Sequence, residues 1–353
     1  MHRRRRQKVK LLSVSFALLA LAVLGGIFMF VVSSQNSASE FLRLAVDVVG
    51  NKFKNFVYKA YDARGKEVTL ASSDVTEVKK DDYVLRNISS SFQLSDTERG
   101  SITSDITKIN KVDKTICEFL GNVQFVTTSG LRLNTEKSIV NFDKKTAIGD
   151  VEIAIRKDKS ELLANCYNID IGNNIVTLLG TVRGFSEGKS IFCDKMILCF
   201  REKSSMEFIG SNDSIKSMDA IGNAKLVSLD YTLSANHILY HQSVLTASTN
   251  VNLIYKNNEK TFDVKAEHMT AELDKSGKVE EIKAHQSLTI KYQNATIRAD
   301  SGVLKGNKVT VRGNVAISNA NGDVFGDVAV LDVDTGDVSI SKSSGVINDG
   351  KAQ

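Results

Sequence analysis

The 353-residue chain contains no proline and no tryptophan. Ordinary usage of about 5% would supply roughly seventeen prolines. Their absence argues against polyproline linkers and proline-capped loops, and it suits a chain whose backbone N–H groups nearly all join a hydrogen-bonded ladder. Cysteine is scarce as well, at four: Cys117, Cys166, Cys193 and Cys199. Three pairings are possible in an oxidising compartment. Cys193 and Cys199 fall within one apolar strand, where six residues span about 20 Å, too far to pair with each other. The alternative is four small buried apolar residues, a common fate of cysteine.

Charge of one sign is also missing from the body. The first ten residues, MHRRRRQKVK, hold six basic side chains and no acid, which leaves 40 basic against 41 acidic residues in the other 343. A near-neutral body lacks the basic stripe of a nucleic-acid binder. Next comes LLSVSFALLALAVLGGIFMFVV, residues 11–32, with no charge at all. Twenty-two residues at a helical rise cross a hydrocarbon core of about 30 Å, and the run is longer than the 7–15 residues of a cleaved signal core. It predicts one transmembrane helix. The preceding cationic decapeptide keeps the N-terminus cytoplasmic and sends the remainder across, into the periplasm of a bacterium.

Residues 33–52 read as a linker, with Phe41, Leu44 and Val48 at helical spacing. From Phe53 the period becomes two. In VEEIKAHQSLTIKY, residues Ile282, Ala284, Leu288, Ile290 and Tyr292 share one face. In KVTVRGNVAI, Val309, Val311, Val315 and Ile317 do the same. Turn signals such as TSG at 128–130, KGN at 305–307 and DTG at 334–336 separate the strands. The fold class is all-β.

The strands also repeat. Gly-Asn-Val at 121 recurs as GDV at 149, GTV at 180 and GNV at 313, and a small residue two places after an apolar one marks each unit: Thr135, Ala164, Cys193, Ala235, Ala266, Ala299 and Gly326. Successive spacings are 29, 29, 42, 31, 33 and 27 residues. A lone hairpin cannot bury its face, so stacked units of about thirty residues must supply the core between two antiparallel sheets. The small residue is expected where a strand ends and the chain changes sheet, or where two backbones approach closely. Gly-Asn-Val is expected to begin a strand.

Catalytic signals are weak. His237 and His241 stand four apart, about 13 Å along a strand, and no cysteine or acid completes a metal site with them. No Gly-x-Ser-x-Gly elbow, GxGxxG or Walker loop occurs. Asp81/Asp82 and Glu280/Glu281 read as solvated turns and faces. No enzyme, cofactor or metal is expected.

The anchor followed by NFVYKAYDARGKEVTLASSDVTEV, then GSITSDITKINKVDKTICEFLGNVQFVTTSGLRLNTEKSIVNFDKKTAIGD and LLANCYNIDIGNNIVTLLGTVRG, resembles LptC of the lipopolysaccharide-transport family that shares the OstA-like β-jellyroll, over roughly residues 8–200. Further on, IRADSGVLKGNKVTVRGNVAI and NGDVFGDVAVLDVDTGDVSI resemble the closing part of LptA. Usual members are separate chains about half this length. The resemblance therefore implies an LptC-like jellyroll over 53–205 joined to an LptA-like one over 206–345, with a tail at 346–353 and the boundary at the longest spacing. It implies binding of lipopolysaccharide received from an inner-membrane ABC transporter.

Two means of binding are expected. Inward apolar side chains, if the sheets splay apart, form a groove for lipid acyl chains: Phe119, Val123, Phe125, Leu133, Ile139, Val151, Ile153 and Ile155. Otherwise they fill a closed core, and the chain is a structural β-solenoid spacer or adhesin. The first strand, Lys54 to Tyr61 with Phe56 and Tyr58, and the last, Asp337 to Ser341 with Val338 and Ile340, are the sheet edges. There an LptA-like or LptD-like jellyroll would add by strand pairing.

Overall fold

The computed structural model describes residues 52–347 apart from 62–66, 80, 94–98, 111, 113–115, 129, 142–143, 145, 171–172, 174, 201–214, 258–259, 275–278, 321 and 342–343. The expected membrane span, nearly all of the linker and residues 348–353 lie outside the described residues. Every described element is a β-strand, and every ladder given below is antiparallel. The chain divides into two compact units. One comprises residues 15–187 with 195–216, and the other residues 188–194 with 217–353.

The first unit holds β1 (Lys52–Tyr61), β2 (Glu67–Val78), β3 (Asp82–Gln93), β4 (Arg99–Asn110), β5 (Ile116–Thr127) and β6 (Arg132–Asn141), each paired with the next in sequence. The following rungs are split in two. β7 (Thr146–Gly149) and β8 (Ile153–Lys157) both lie along β6, and β9 (Ser160–Ala164) and β10 (Cys166–Asp170) both lie along β11 (Ile175–Ser186). β12 (Lys189–Phe200) is divided between the units.

The second unit continues with β13 (Ile215–Val227), β14 (Tyr231–His241), β15 (Val244–Asn257), β16 (Lys260–Leu273), β17 (Val279–Tyr292), β18 (Ala295–Lys305), β19 (Lys308–Asn319) and β20 (Gly322–Asp332). Two short strands, β21 (Val338–Ser341) and β22 (Ser344–Ile347), share one side of β20. The final strand is thus β22, beyond the expected end at Ser341.

Most of the long ladders break register near the middle, although β3–β4 keeps its register throughout and β16–β17 shifts a second time near its end. The break in β5 falls at Gly121 and Asn122, with φ of 71° and 46°. The equivalent pairs are Gly222–Asn223 in β13, Thr249–Asn250 in β15, Gln286–Ser287 in β17 and Gly313–Asn314 in β19, all at positive φ. Two consecutive left-handed residues insert a bulge and turn the strand sharply. Gly-Asn-Val therefore does not begin a strand; it is the corner inside one. The marker residues also lie within strands: Thr135 faces Val123, Ala235 faces Ala224, Ala266 faces Val251, Ala299 faces Leu288 and Gly326 faces Val315. Opposite a bulge there is room only for a small side chain.

The corner shifts the inward parity of the facing strand. In β6, Leu133 and Thr135 are buried before it and Ser138 and Val140 after it. In β18, Ile297 and Ala299 give way to Gly302. Buried residues lie on both sides of each corner, so one strand contributes its two halves to two facing layers.

Candidate functional site

In the second unit the two halves of each strand enclose a groove of about 780 Å³. Phe262 and Val264 lie before the β16 corner and Met269 after it; Ile282 and Ala284 lie before the β17 corner, with Leu288 and Ile290 after. That volume falls within the 300–1,000 Å³ of ordinary ligand pockets. A smaller space of about 40 Å³ shares Tyr231, Leu253, Met269 and Ile282 with it and is lined further by Leu233, Ala247 and Ala271.

The unit that holds the groove is richer in small buried residues than the other, and Ala284 and Gly302 stand in the groove wall. Nine alanines are buried in this unit, among them Ala220, Ala235, Ala247, Ala271, Ala284 and Ala299, against Ala147 and Ala164 in the other.

Both ends of the strands gather at the mouth. One lip carries aromatic rungs: Tyr231 pairs with Tyr255, Tyr255 with Phe262 and Phe262 with Tyr292. Phe262 and Tyr292 are stacked at 4.5 Å and 7°, and Tyr255 tilts over Phe262 at 6.3 Å. Burial first, and then the charges of Asp230 and Asp334, push the Tyr255 phenol above its ordinary range. The other lip is polar and comes from the ends of β16 to β20: Glu272, Asp274, Glu280, Glu281, Lys305, Asn307 and Asp334. Lys283 donates to Glu272 at 2.9 Å and lies 3.5 Å from Glu281. The ammonium holds the Glu272 carboxyl below its usual value, and Glu272 and then Glu281 hold Lys283 above its own. The lips meet where Gly336 lies against the Tyr292 ring, so close that a Cβ there would stand 2.5 Å from the hydroxyl.

The residues expected to line a groove lie in the first unit, and most of them are buried there. Phe119, Val123, Phe125 and Leu133 are buried around a space of only about 50 Å³, with Tyr167 and Ile169 on its other side. That space is little more than the roughly 30 Å³ share of one water. Ile153 and Ile155 are buried, at 0% and 1% exposure, but do not line it. Ile139 and Val151 are only half-buried. The parity shift after Thr135 turns Ser138 and Val140 inward in place of Ile139, and Val151 sits in the break between β7 and β8. Hydroxyls help to seal this unit: Thr135 Oγ1 donates to the Glu152 carbonyl at 2.9 Å, Ser104 and Thr107 join at 2.8 Å, and Tyr167 donates to the Lys137 carbonyl at 3.1 Å.

At the expected edges, Phe56 and Tyr58 pair through their backbones with Ser73 and Ala71 of β2. Val338 and Ile340 pair with Leu331 and Ala329, and Val338 is 42% exposed. His237 is on β14 and meets Asp219 of β13. Among the described residues no set of three or more His, Cys, Asp or Glu side chains gathers as metal ligands. The four cysteines form no disulfide; Cys117 and Cys193 are buried, Cys166 and Cys199 half-buried.

The groove of about 780 Å³ lies in the second unit, and none of the eight residues expected from the sequence lines it. Sequence reasoning also missed Gly222–Asn223, where alanine stands in the place of the Gly-Asn-Val valine.

Residues 18–187 match the family model described as lipopolysaccharide-assembly, LptC-related. No curated protein matches the chain. Among solved structures it is similar to LptH, the LptA homologous periplasmic component of the conserved lipopolysaccharide transport device from Pseudomonas aeruginosa. The identity is 10%, the coverage 38% of this chain and 85% of that one, and the TM-score 0.19. Residues 18–187, just under half of the chain, are thus similar to the LptC-related family.

Proposed function

We propose that this protein is a membrane-anchored periplasmic bridge that takes lipopolysaccharide from an inner-membrane ABC transporter and passes it toward the outer membrane. Residues 11–32 are its single span and residues 1–10 its cytoplasmic tail. The observation that carries the reading is the apolar groove of about 780 Å³ in a chain whose residues 18–187 match an LptC-related family. Acyl chains entering such a groove gain about 0.8 kcal/mol per buried methylene. The chain hydrolyses no nucleotide itself and moves lipid by handing it between neighbouring jellyrolls. β1 with Phe56 and Tyr58, and β21 with Val338 and Ile340, are the strands to which an LptA-like or LptD-like partner adds.

The small space of about 50 Å³ beside Phe125 supports a second reading for residues 53–205 alone, as a docking and spacing element, with lipid carried by residues 206–345. Photo-crosslinking in cells tests both. A crosslinker at Met269 or Ile290 is expected to capture lipid A, whereas one at Phe125 or Ile153 gives little. Absence of lipid adducts at every groove position, in protein shown to be folded and membrane-inserted, overturns the transport reading.

A further inference from the structure

The outer face of the second unit carries two histidines side by side. His268 of β16 and His285 of β17 are directly opposed in their ladder, and both are exposed. The next opposed pair, Met269 and Ala284, is buried and lines the groove. Alternation along the strands therefore turns both imidazoles away from the groove, onto the back of its wall. The pair stands where the ladder breaks register, beside Gln286 and Ser287 with φ of 64° and 55°.

Both rings are free. Neither enters a hydrogen bond or ion pair among the described residues, whereas His237, in the same row across the strands, is held by Asp219. The positions that flank the pair on β15 and β18 are the neutral Ser248 and Ser301. Lys283, two residues from His285, is tied to Glu272 and Glu281.

We infer that His268 and His285 form a binding site for a transition-metal dication, Cu²⁺ ahead of Ni²⁺ and Zn²⁺, on the back of the groove wall. Directly opposed residues hold their Cβ atoms about 4.5–5.5 Å apart. Two imidazoles that close can converge on one ion, each nitrogen about 2.0–2.1 Å from it. Neutral imidazole suits these metals, and Cu²⁺ leads them in intrinsic affinity. Water completes the coordination. The ion ties β16 to β17 at their corner, whether or not the groove on the other side takes lipid.

The test titrates the full, untagged chain in nanodiscs with CuCl₂, NiCl₂ and ZnCl₂, in a His2→Ala background that removes the imidazole next to the N-terminal amine. One Cu²⁺ per chain is expected, with an electron paramagnetic resonance spectrum split by two imidazole nitrogens. His268→Ala and His285→Ala are each expected to weaken Cu²⁺ binding about tenfold or more, because two linked ligands bind far better than either alone. The double variant loses little beyond that, since the two act as a unit. His241→Ala changes nothing. Binding fades below about pH 6, where imidazole takes up a proton. Zn²⁺ is also expected to protect His268 and His285, but not His241, from diethyl pyrocarbonate in the chain with all three in place, a measurement that stands even if a variant fails to fold. A single nitrogen in the parent spectrum, equal loss of affinity in His241→Ala and His285→Ala, or unchanged modification of His268 and His285 with metal bound overturns the inference.

Discussion

The side-chain amide of Asn122 donates to the Asp105 carboxylate at 2.8 Å, and that carboxylate lies over Gly121, where a Cβ would stand 2.6 Å from Oδ2. The clasp recurs in the other unit, as Asn223 on Asp194 over Gly222 and Asn314 on Asp300 over Gly313, each hydrogen bond 2.9 Å. In every copy the aspartate directly follows a small residue: Ser104, Cys193 and Ala299. Gly-Asn on one strand and small-Asp on the next are thus two halves of a single device that pins the bulge.

Gly121→Ala is expected to destabilise its unit by about 2–3 kcal/mol, from the left-handed backbone of a residue with a Cβ and the loss of the Asn122 bond when Asp105 is pushed aside. Gly121→Asn costs less, because asparagine tolerates that backbone. Asp105→Ala in the Gly121→Ala background recovers nothing of the strain, so the double variant keeps a penalty of about 1 kcal/mol or more in urea melts.

Gly149→Ala is expected to cost about 3 kcal/mol. A Cβ there would fall 2.2 Å from the Tyr167 ring, which is buried and paired directly opposite in β10. Unlike the Asp105 carboxylate, the ring has nowhere to swing. Combining Gly149→Ala with Tyr167→Leu should cost less than the sum of the two, and additivity in urea melts would refute the contact.

A phenylalanine distinguishes the two interiors. Ala284→Phe projects into the large groove and is expected to leave the melting temperature near that of the parent while cutting crosslinking from Ile290 at least tenfold. Ala147→Phe lines the small space near Phe125 and is expected to cost about 3 kcal/mol by overpacking. Equal tolerance of both would contradict the difference in volume.

Alkaline pH should loosen the first unit. Burial pushes the Cys117 thiol from 9.0 to about 12 and the Tyr167 phenol from 10.0 to about 12. Both stay protonated in the folded protein while the unfolded chain ionises, so stability is whole below pH 9 and falls from there toward pH 12, by about 1.4 kcal/mol per pH unit for each group titrating only in the unfolded state. Cys117→Ala is expected to flatten the part of the slope between pH 9 and 10. In the folded protein at pH 8, iodoacetamide should label Cys166 well before Cys117.

Much of the fold was legible because alternation survives burial. Leu288, Ile290 and Tyr292 share a face in the sequence and are buried in the structure, as are Val311, Val315 and Ile317 within the longer ladder of β19. What a two-residue period could not convey is that the period slips at each corner. Ile139 is in phase with Leu133 by simple counting, yet the bulge opposite Thr135 passes the inward position to Ser138 and Val140. The groove of the second unit carries no comparable mark in the sequence, since its lining is drawn from five or more strands. Phe119 and Phe125 line a space of about 50 Å³ in the first unit, whereas the larger groove is bounded by residues as far apart in sequence as Tyr231 and Asp334.

The ladders join strands that are at most a few positions apart in the sequence: β13 to β14, β14 to β15, and so on to β20, with β9 and β10 both returning to β11. A nascent chain can therefore zip from its N-terminal side as it emerges, each new hairpin finding its template already in place and no contact waiting on the last residue made. Removal of two adjacent rungs, corner to corner, should yield a shorter protein that still closes on itself, an outcome that sheets with distant crossovers do not permit.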